Sequence, residues 1–257
     1  MRRFPVCGRQ ALIAVGFLLG LSPAQAGPPF LVDDPGIADT GELLLYPAAQ
    51  WQRLAAGEKF LSAGLAGSYG FSPHTELGAG LVLARAESAA GEANTGFGDV
   101  TLGIKQRLFI SESSGPNLTA AYTLSLPSGD ADQGLGSGSF DHALYLTADQ
   151  PLGIFTLTAN LGVLRASASD ARTAMSYGGL LTCAPTPVTL IGIQGFGNSA
   201  TFGNMSRRFL FGLGVQQDFG SGITLLAAYN VAAYGEPSHQ FYLGLQVSTR
   251  PFGSPAD

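Results

Sequence analysis

Phe97-Gly98-Asp99-Val100-Thr101-Leu102-Gly103-Ile104-Lys105-Gln106-Arg107-Leu108-Phe109 is the stretch that decides the fold. Val100, Leu102, Ile104 and Leu108 fall on one parity, and Asp99, Thr101, Gly103, Lys105 and Arg107 on the other, with Gln106 out of place. Successive side chains of a β-strand point to opposite faces, so this segment makes a strand with one apolar and one charged face. A helix would scatter both sets around its axis.

The same alternation recurs outward in both directions. Leu118, Ala120, Tyr122, Leu124 and Leu126 oppose Asn117, Thr119, Ala121, Thr123 and Ser125. Phe155, Leu157, Ala159, Leu161 and Val163 oppose Thr156, Thr158, Asn160 and Gly162. Phe209, Phe211, Leu213 and Val215 oppose Arg208, Gly212, Gly214, Gln216 and Asp218, while Phe241, Leu243, Leu245 and Val247 oppose Tyr242, Gly244 and Gln246. About twelve such strands of roughly 9–13 residues fit the chain, centred near Tyr46, Leu65, Gly80, Gly103, Tyr122, Leu146, Ala159, Gly179, Ile191, Leu213, Ala227 and Leu245. The first, third and eighth show the weakest pattern.

A soluble β-sandwich also alternates, and three features argue against one. The strands exceed the ~5–6 residues usual in soluble sheets. The polar parity is mostly Gly, Ser, Thr, Asn and Gln, which suits a crowded lumen better than a solvated face. Tight links at residues 71–74, 150–153, 184–187 and 219–222 alternate with longer ones at 87–96, 127–141, 166–173 and 197–207. Short turns on one rim and longer loops on the other are the pattern of outer-membrane barrels; the link at 110–117 is longer than its side requires. Tyr69, Phe71, Phe155 and Phe219 lie near the short turns, and Trp51, Phe209, Phe211 and Phe241 near the opposite rim, as two aromatic girdles would. The expected fold is an all-β, antiparallel transmembrane barrel over residues 41–257, in the outer membrane of a Gram-negative cell. Closure is a physical requirement, because an open edge in hydrocarbon would leave backbone groups unpaired.

The bulk numbers agree. Charged residues are 12% of the 257, and 36 are glycine. No unbroken apolar run after the N-terminus is long enough for a membrane helix. Arg2, Arg3 and Arg9, the apolar run 11–21 and Ala24-Gln25-Ala26 read as a cleaved signal peptide over residues 1–26. Its removal takes three of the 13 basic residues and none of the 18 acidic ones, leaving a net charge of −8. With no Lys/Arg run, the sequence argues against a nucleic-acid partner. Cys183 would be the sole mature cysteine, so neither an internal disulfide nor a cysteine metal site can form.

Gly27-Pro28-Pro29-Phe30-Leu31-Val32-Asp33-Asp34-Pro35-Gly36, followed by Gly41-Glu42, resembles the mature start of the family named for the MetA-pathway of phenol degradation. Gly96-Phe97-Gly98-Asp99-Val100, with Lys105 and Arg107, is similar to that family's internal strand. The resemblance implies an outer-membrane transporter barrel linked to uptake of aromatic or other hydrophobic compounds, without naming a solute. The C-terminal Gly253-Ser254-Pro255-Ala256-Asp257 departs from the aromatic ending common in barrels.

Candidate solute-path residues on the polar parity are Asp99, Lys105, Arg107, Asn160, Asp218 and Gln246. Asp99, Lys105 and Arg107 form either a charged constriction or a lumen-filling salt-bridge network with Asp218, Glu76 or Arg250. Residues 27–40 carry Asp33, Asp34 and three prolines and cannot be a strand; they fold into the lumen or trail in the periplasm. Ser139, Asp141 and His142 are neighbours in sequence, which is not the geometry of a hydrolytic triad, and His74 and His239 have no evident partner. Asp130 and Asp132 lack a complete calcium-loop signature. No enzyme activity, cofactor or metal is expected. The expected function is passive or facilitated passage of small, aromatic or hydrophobic molecules. The expected partners are outer-membrane lipid, the solute and, during biogenesis, secretion and barrel-assembly machinery. A structural barrel with a filled lumen, and more remotely an outer-membrane hydrolase, are the alternatives.

Overall fold

The structure, a computed structural model, describes residues 28–54, 57–111, 115–167, 173–199, 207–235 and 238–249. The expected signal peptide, residues 1–26, and Arg250 lie outside the described residues. The strands are β1 (Leu43–Leu54), β2 (Lys59–Ser72), β3 (Thr75–Glu87), β4 (Ala93–Phe97), β5 (Val100–Phe109), β6 (Asn117–Leu126), β7 (Asp141–Leu152), β8 (Phe155–Ala166), β9 (Ala174–Thr186), β10 (Thr189–Asn198), β11 (Arg208–Asp218), β12 (Ile223–Tyr234) and β13 (Ser238–Ser248). Each pairs antiparallel with its neighbour, and β1 also pairs with β13 from Leu44↔Ser248 to Leu54↔Ser238. That seam closes the sheet. β4 and β5 both pair with β3, one beyond the other, and form two halves of one wall strand, so the barrel is twelve-stranded.

The break within that wall strand corrects the reading of residues 97–109 as one uninterrupted strand and of 87–96 as a loop. Gly98 and Asp99 lie outside the ladder, and Gly98 donates its N–H to the Val82 carbonyl at 2.8 Å. The insertion behaves as a bulge. Asn94 and Gly96 are the more buried residues before it, and Thr101 and Lys105 after it, so the inward parity changes there.

The sheet is inside out relative to a soluble protein. Ile193 and Leu213 are each 60% exposed, whereas Gln52 is 0% and Gln240 and Thr147 are 1% exposed. Apolar side chains cover the outer wall and polar ones point into the barrel. Water would not support that distribution; hydrocarbon would. Among the described residues no helix is long and apolar enough to cross a membrane, so the strands do the spanning. Exposed Phe71, Phe155 and Phe219 ring the short-turn rim, and Trp51, Phe211 and Phe241 the long-loop rim. The geometry is that of an outer-membrane barrel.

Candidate functional site: the occupied lumen

Residues 28–42 enter the barrel at the short-turn rim, where β1 begins, and cross the lumen. Their base is pinned to β2: Gly41 donates to the Gly70 carbonyl at 2.7 Å, and Gly70 donates to the Glu42 carbonyl at 3.0 Å. Gly70 must be glycine, since a Cβ there would strike the carbonyls of Ala38 and Asp39. The Ala38 N–H then donates to Glu76 Oε2 on β3 at 2.7 Å. Lys105 on β5 donates from Nζ to Asp33 Oδ1 at 2.9 Å and to the Asp34 carbonyl.

The chain then reaches the opposite wall. Gln194 on β10 is oriented by its own amide, whose Nε2 donates to Asn230 Oδ1 at 2.7 Å. Its Oε1 is thereby free to accept from the N–H groups of Leu31 at 2.7 Å and Val32 at 3.2 Å. Gln216 Nε2 donates to the Pro28 carbonyl at 2.9 Å. Phe30 and Val32 pack with Leu180 and Phe196, with Leu31 and Leu190 at the margin. Glycines make the room: a Cβ on Gly192 or Gly214 would lie 2.6 or 2.7 Å from the Phe30 ring, and one on Gly178 would lie 2.6 Å from Val32. Anchors on β2, β3 and β5 and on β9, β10 and β11 are half a barrel apart, so the segment spans the lumen as a bar.

A second inward element comes from the long-loop rim. Asp99 accepts from Gly129 N–H through Oδ1 and from Ser137 N–H through Oδ2, each at 2.8 Å, and thus ties down the β6–β7 loop. Asp130 caps a short 3-10 turn in this loop, accepting from the Gln133 N–H at 3.1 Å. Leu135 from the loop packs with Leu54, Phe60, Ala84 and Ala86 on the inner wall. On the next sector, Tyr145 and Leu164 pack with Ala121, Ala143 and Ala174.

The sequence candidates separate accordingly. Asp99, Lys105 and Arg107 do not converge on one constriction: Asp99 holds a loop, Lys105 holds the crossing segment, and Arg107 lies at the short-turn rim, donating to the Pro73 carbonyl at 3.1 Å. Lys105 and Arg107 share a strand face but lie one pleat apart, and Asp99 sits in the bulge outside the ladder. The network with Asp218 is not formed either, because Asp218 Oδ1 caps the adjacent turn, accepting from Gly220 N–H at 2.7 Å. Asn160 is buried in the wall and donates to Thr147 Oγ1 at 2.7 Å. Gln246 lies on the inward parity of β13, half-buried. Asp34 turns back on its own segment, accepting from Gly36 N–H at 2.7 Å. Ser139 donates to Asp141 at 3.0 Å, but His142 lies on the opposite face and contacts Tyr122, so no triad assembles. Among the described residues no group of three or more His, Cys, Asp or Glu is placed to hold a metal ion.

Sequence reading placed Gln216 on a polar strand face but missed it and Glu76 as anchors of the crossing segment, and it missed Gln194 and Leu135 altogether. The available signal was the row of inward glycines at 178, 192 and 214, which leaves a groove needing an occupant.

Several inward polar atoms have no protein partner: both amide atoms of Gln52, Gln240 Oε1, and the hydroxyls of Ser62, Thr119 and Thr123. Buried polar groups require a hydrogen-bond partner.

Known structures share this architecture. An outer membrane channel of the COG4313 group from Pseudomonas putida F1 superposes with TM-score 0.67 at 16% identity, over 85% of this chain and 98% of that one. The KdgM porin in complex with disordered oligogalacturonate gives 0.57 at 10% identity, over 80% and 99%. The CymD monoaromatic hydrocarbon channel gives 0.50 at 9% identity, over 92% and 99%. These matches are to channels and porins, and at such identities they establish the fold. No curated protein matches by sequence. Residues 22–249 match the family described as "Putative MetA-pathway of phenol degradation", and the chain belongs to that family.

Proposed function

We propose that the protein is an outer-membrane channel for small molecules, working by diffusion, in which residues 28–42 are a displaceable plug. One observation carries this reading. The segment that bars the lumen is no part of the wall ladder: beyond its pinned base it is held by side chains of Glu76, Lys105, Gln194 and Gln216 and by one apolar groove. The part beyond that base can leave without breaking any strand pairing, while Thr40 and Gly41 stay paired with Gly70. The inward polar side chains that its departure uncovers, Gln194 and Gln216 among them, then line a hydrated path. Small aromatic solutes are the class favoured by the family's link to phenol degradation and by the architecture shared with a monoaromatic hydrocarbon channel.

Tyr145 and Leu164, packed inside the β6–β9 sector, favour a second reading, a structural barrel with a filled interior. Planar-bilayer conductance and liposome-swelling rates of the mature protein, with and without residues 28–38, separate the two. A channel shows discrete steps that grow when the plug is removed. A sealed bilayer in both cases supports the filled barrel and rejects transport.

A further inference from the structure

The outer wall carries one arrangement twice. Tyr122 Oη lies 2.7 Å from His142 Nδ1, with ring centroids 6.1 Å apart and an interplanar angle of 32°. Tyr229 Oη lies 2.6 Å from His239 Nδ1, with centroids again 6.1 Å apart and an angle of 30°. The register repeats as well. Each tyrosine sits opposite the residue two beyond its histidine, Leu144 in one case and Phe241 in the other. Each histidine is the second residue of its strand and sits opposite an arginine that is the last but one of the next: His142↔Arg165 and His239↔Arg53. One triad lies on β6, β7 and β8, the other on β12, β13 and β1, six wall strands further round. The two sites face opposite sides of the barrel.

Both lie on the outward parity at the long-loop end, level with or just beyond Trp51 and Phe241 of the girdle. In outer-membrane barrels that rim faces the cell exterior. The height is therefore that of the headgroups of the outer leaflet. Arg53, Lys59, Arg85 and Arg165, the outward-facing Lys and Arg among the described strand residues, all sit in this half of the wall. The outward acid among them, Glu87, is tied to Lys59 at 2.8 Å. In a chain that is acidic as a whole, neither triad contains an acid.

The chemistry follows from the tautomer. A tyrosine hydroxyl that donates to Nδ1 leaves the imidazole proton on Nε2, as a donor. Each site then offers an imidazole N–H beside a planar guanidinium fork, a donor set matched to phosphate oxygens. We propose that the two Tyr-His-Arg triads bind phosphate groups of the phosphorylated glycolipid of the outer leaflet, one lipid on each flank of the barrel.

Native mass spectrometry of the mature protein in detergent, titrated with diphosphoryl lipid A, tests this. The wild type should retain two molecules per barrel. Arg53→Gln and Arg165→Gln should each remove one, and the double variant both, with an affinity loss of about tenfold per site. Zwitterionic phosphatidylethanolamine and inorganic phosphate should not compete. Heat-modifiable gel migration reports whether each variant forms the barrel. If the Gln variants fail to fold, Arg53→Lys and Arg165→Lys carry the test, since they keep the charge and lose the fork, and their affinity should still fall. Two lipids retained by the folded double variant, unchanged affinity in the Lys variants, or equal binding of phosphatidylethanolamine or inorganic phosphate would overturn the proposal.

Discussion

Lys105, on the barrel wall, and Asp33, in the crossing segment, meet at 2.9 Å with side chains only 5% and 2% exposed. The sequence separates them by 72 residues. In the proposed plug this contact is the latch, and two of the testable consequences run through it.

Lys105→Met should unlatch the segment. It leaves Asp33, Asp34 and Glu76 around a site with no cation, and removing one partner of a buried pair costs about 3–5 kcal/mol. The expected outcome is a higher open probability in planar bilayers and faster proteolysis within residues 28–42 from the short-turn side. The barrel itself should keep its heat-modifiable migration.

Asp33→Asn should behave differently. Burial pushes the Asp33 carboxyl up to about 7, against the pull of Lys105, so the seated plug favours the protonated acid. The seated state therefore binds more protons than the released one between the ordinary carboxylate range and pH 7. Seating weakens as pH rises through that interval and levels off above it. Open probability should rise from about pH 4 to about pH 7 in the wild type. The neutral Asn variant should flatten that rise; an unchanged profile would assign the dependence to another group.

Gly214→Val should dislodge Phe30 without touching the ion pair, because its Cβ would fall 2.7 Å from the ring. Overpacking of this kind costs about 1–3 kcal/mol. Combining it with Phe30→Ala should restore much of the wild-type conductance, and a double variant no closer to wild type than the single would argue against this groove as the seat.

Asp99→Ala acts on the other mouth. Two loop N–H groups lose their acceptor, and Leu135 loses the restraint that holds it against Leu54 and Phe60. Larger solutes should enter in liposome-swelling assays, with the pH profile retained, since the Asp33 site is untouched.

The wall was legible because its signal is local. Period-two alternation needs only neighbouring residues, and each of the twelve strand centres, from Tyr46 to Leu245, falls within a strand. The bulge at Gly98 and Asp99 was hidden because both residues fit the alternation on its C-terminal side. The lumen contacts were illegible for a different reason. Leu31 finds Gln194 across 163 residues and Pro28 finds Gln216 across 188, and no local pattern specifies such a pairing. His142 was weighed beside Ser139 and Asp141 as a sequence neighbour, although adjacent strand positions point to opposite faces. Its partner, Tyr122, lies on the neighbouring strand and needs the register to be found.

For the proposed plug, the pin at Gly70 sets the way the interior segment would travel. It is fixed at the mouth from which it enters, so withdrawal is a swing about a short tether into the space beneath the barrel, and return needs no search through bulk solvent. A stopper hinged at its own doorway re-closes at a rate set by chain dynamics, independent of how many copies the membrane holds.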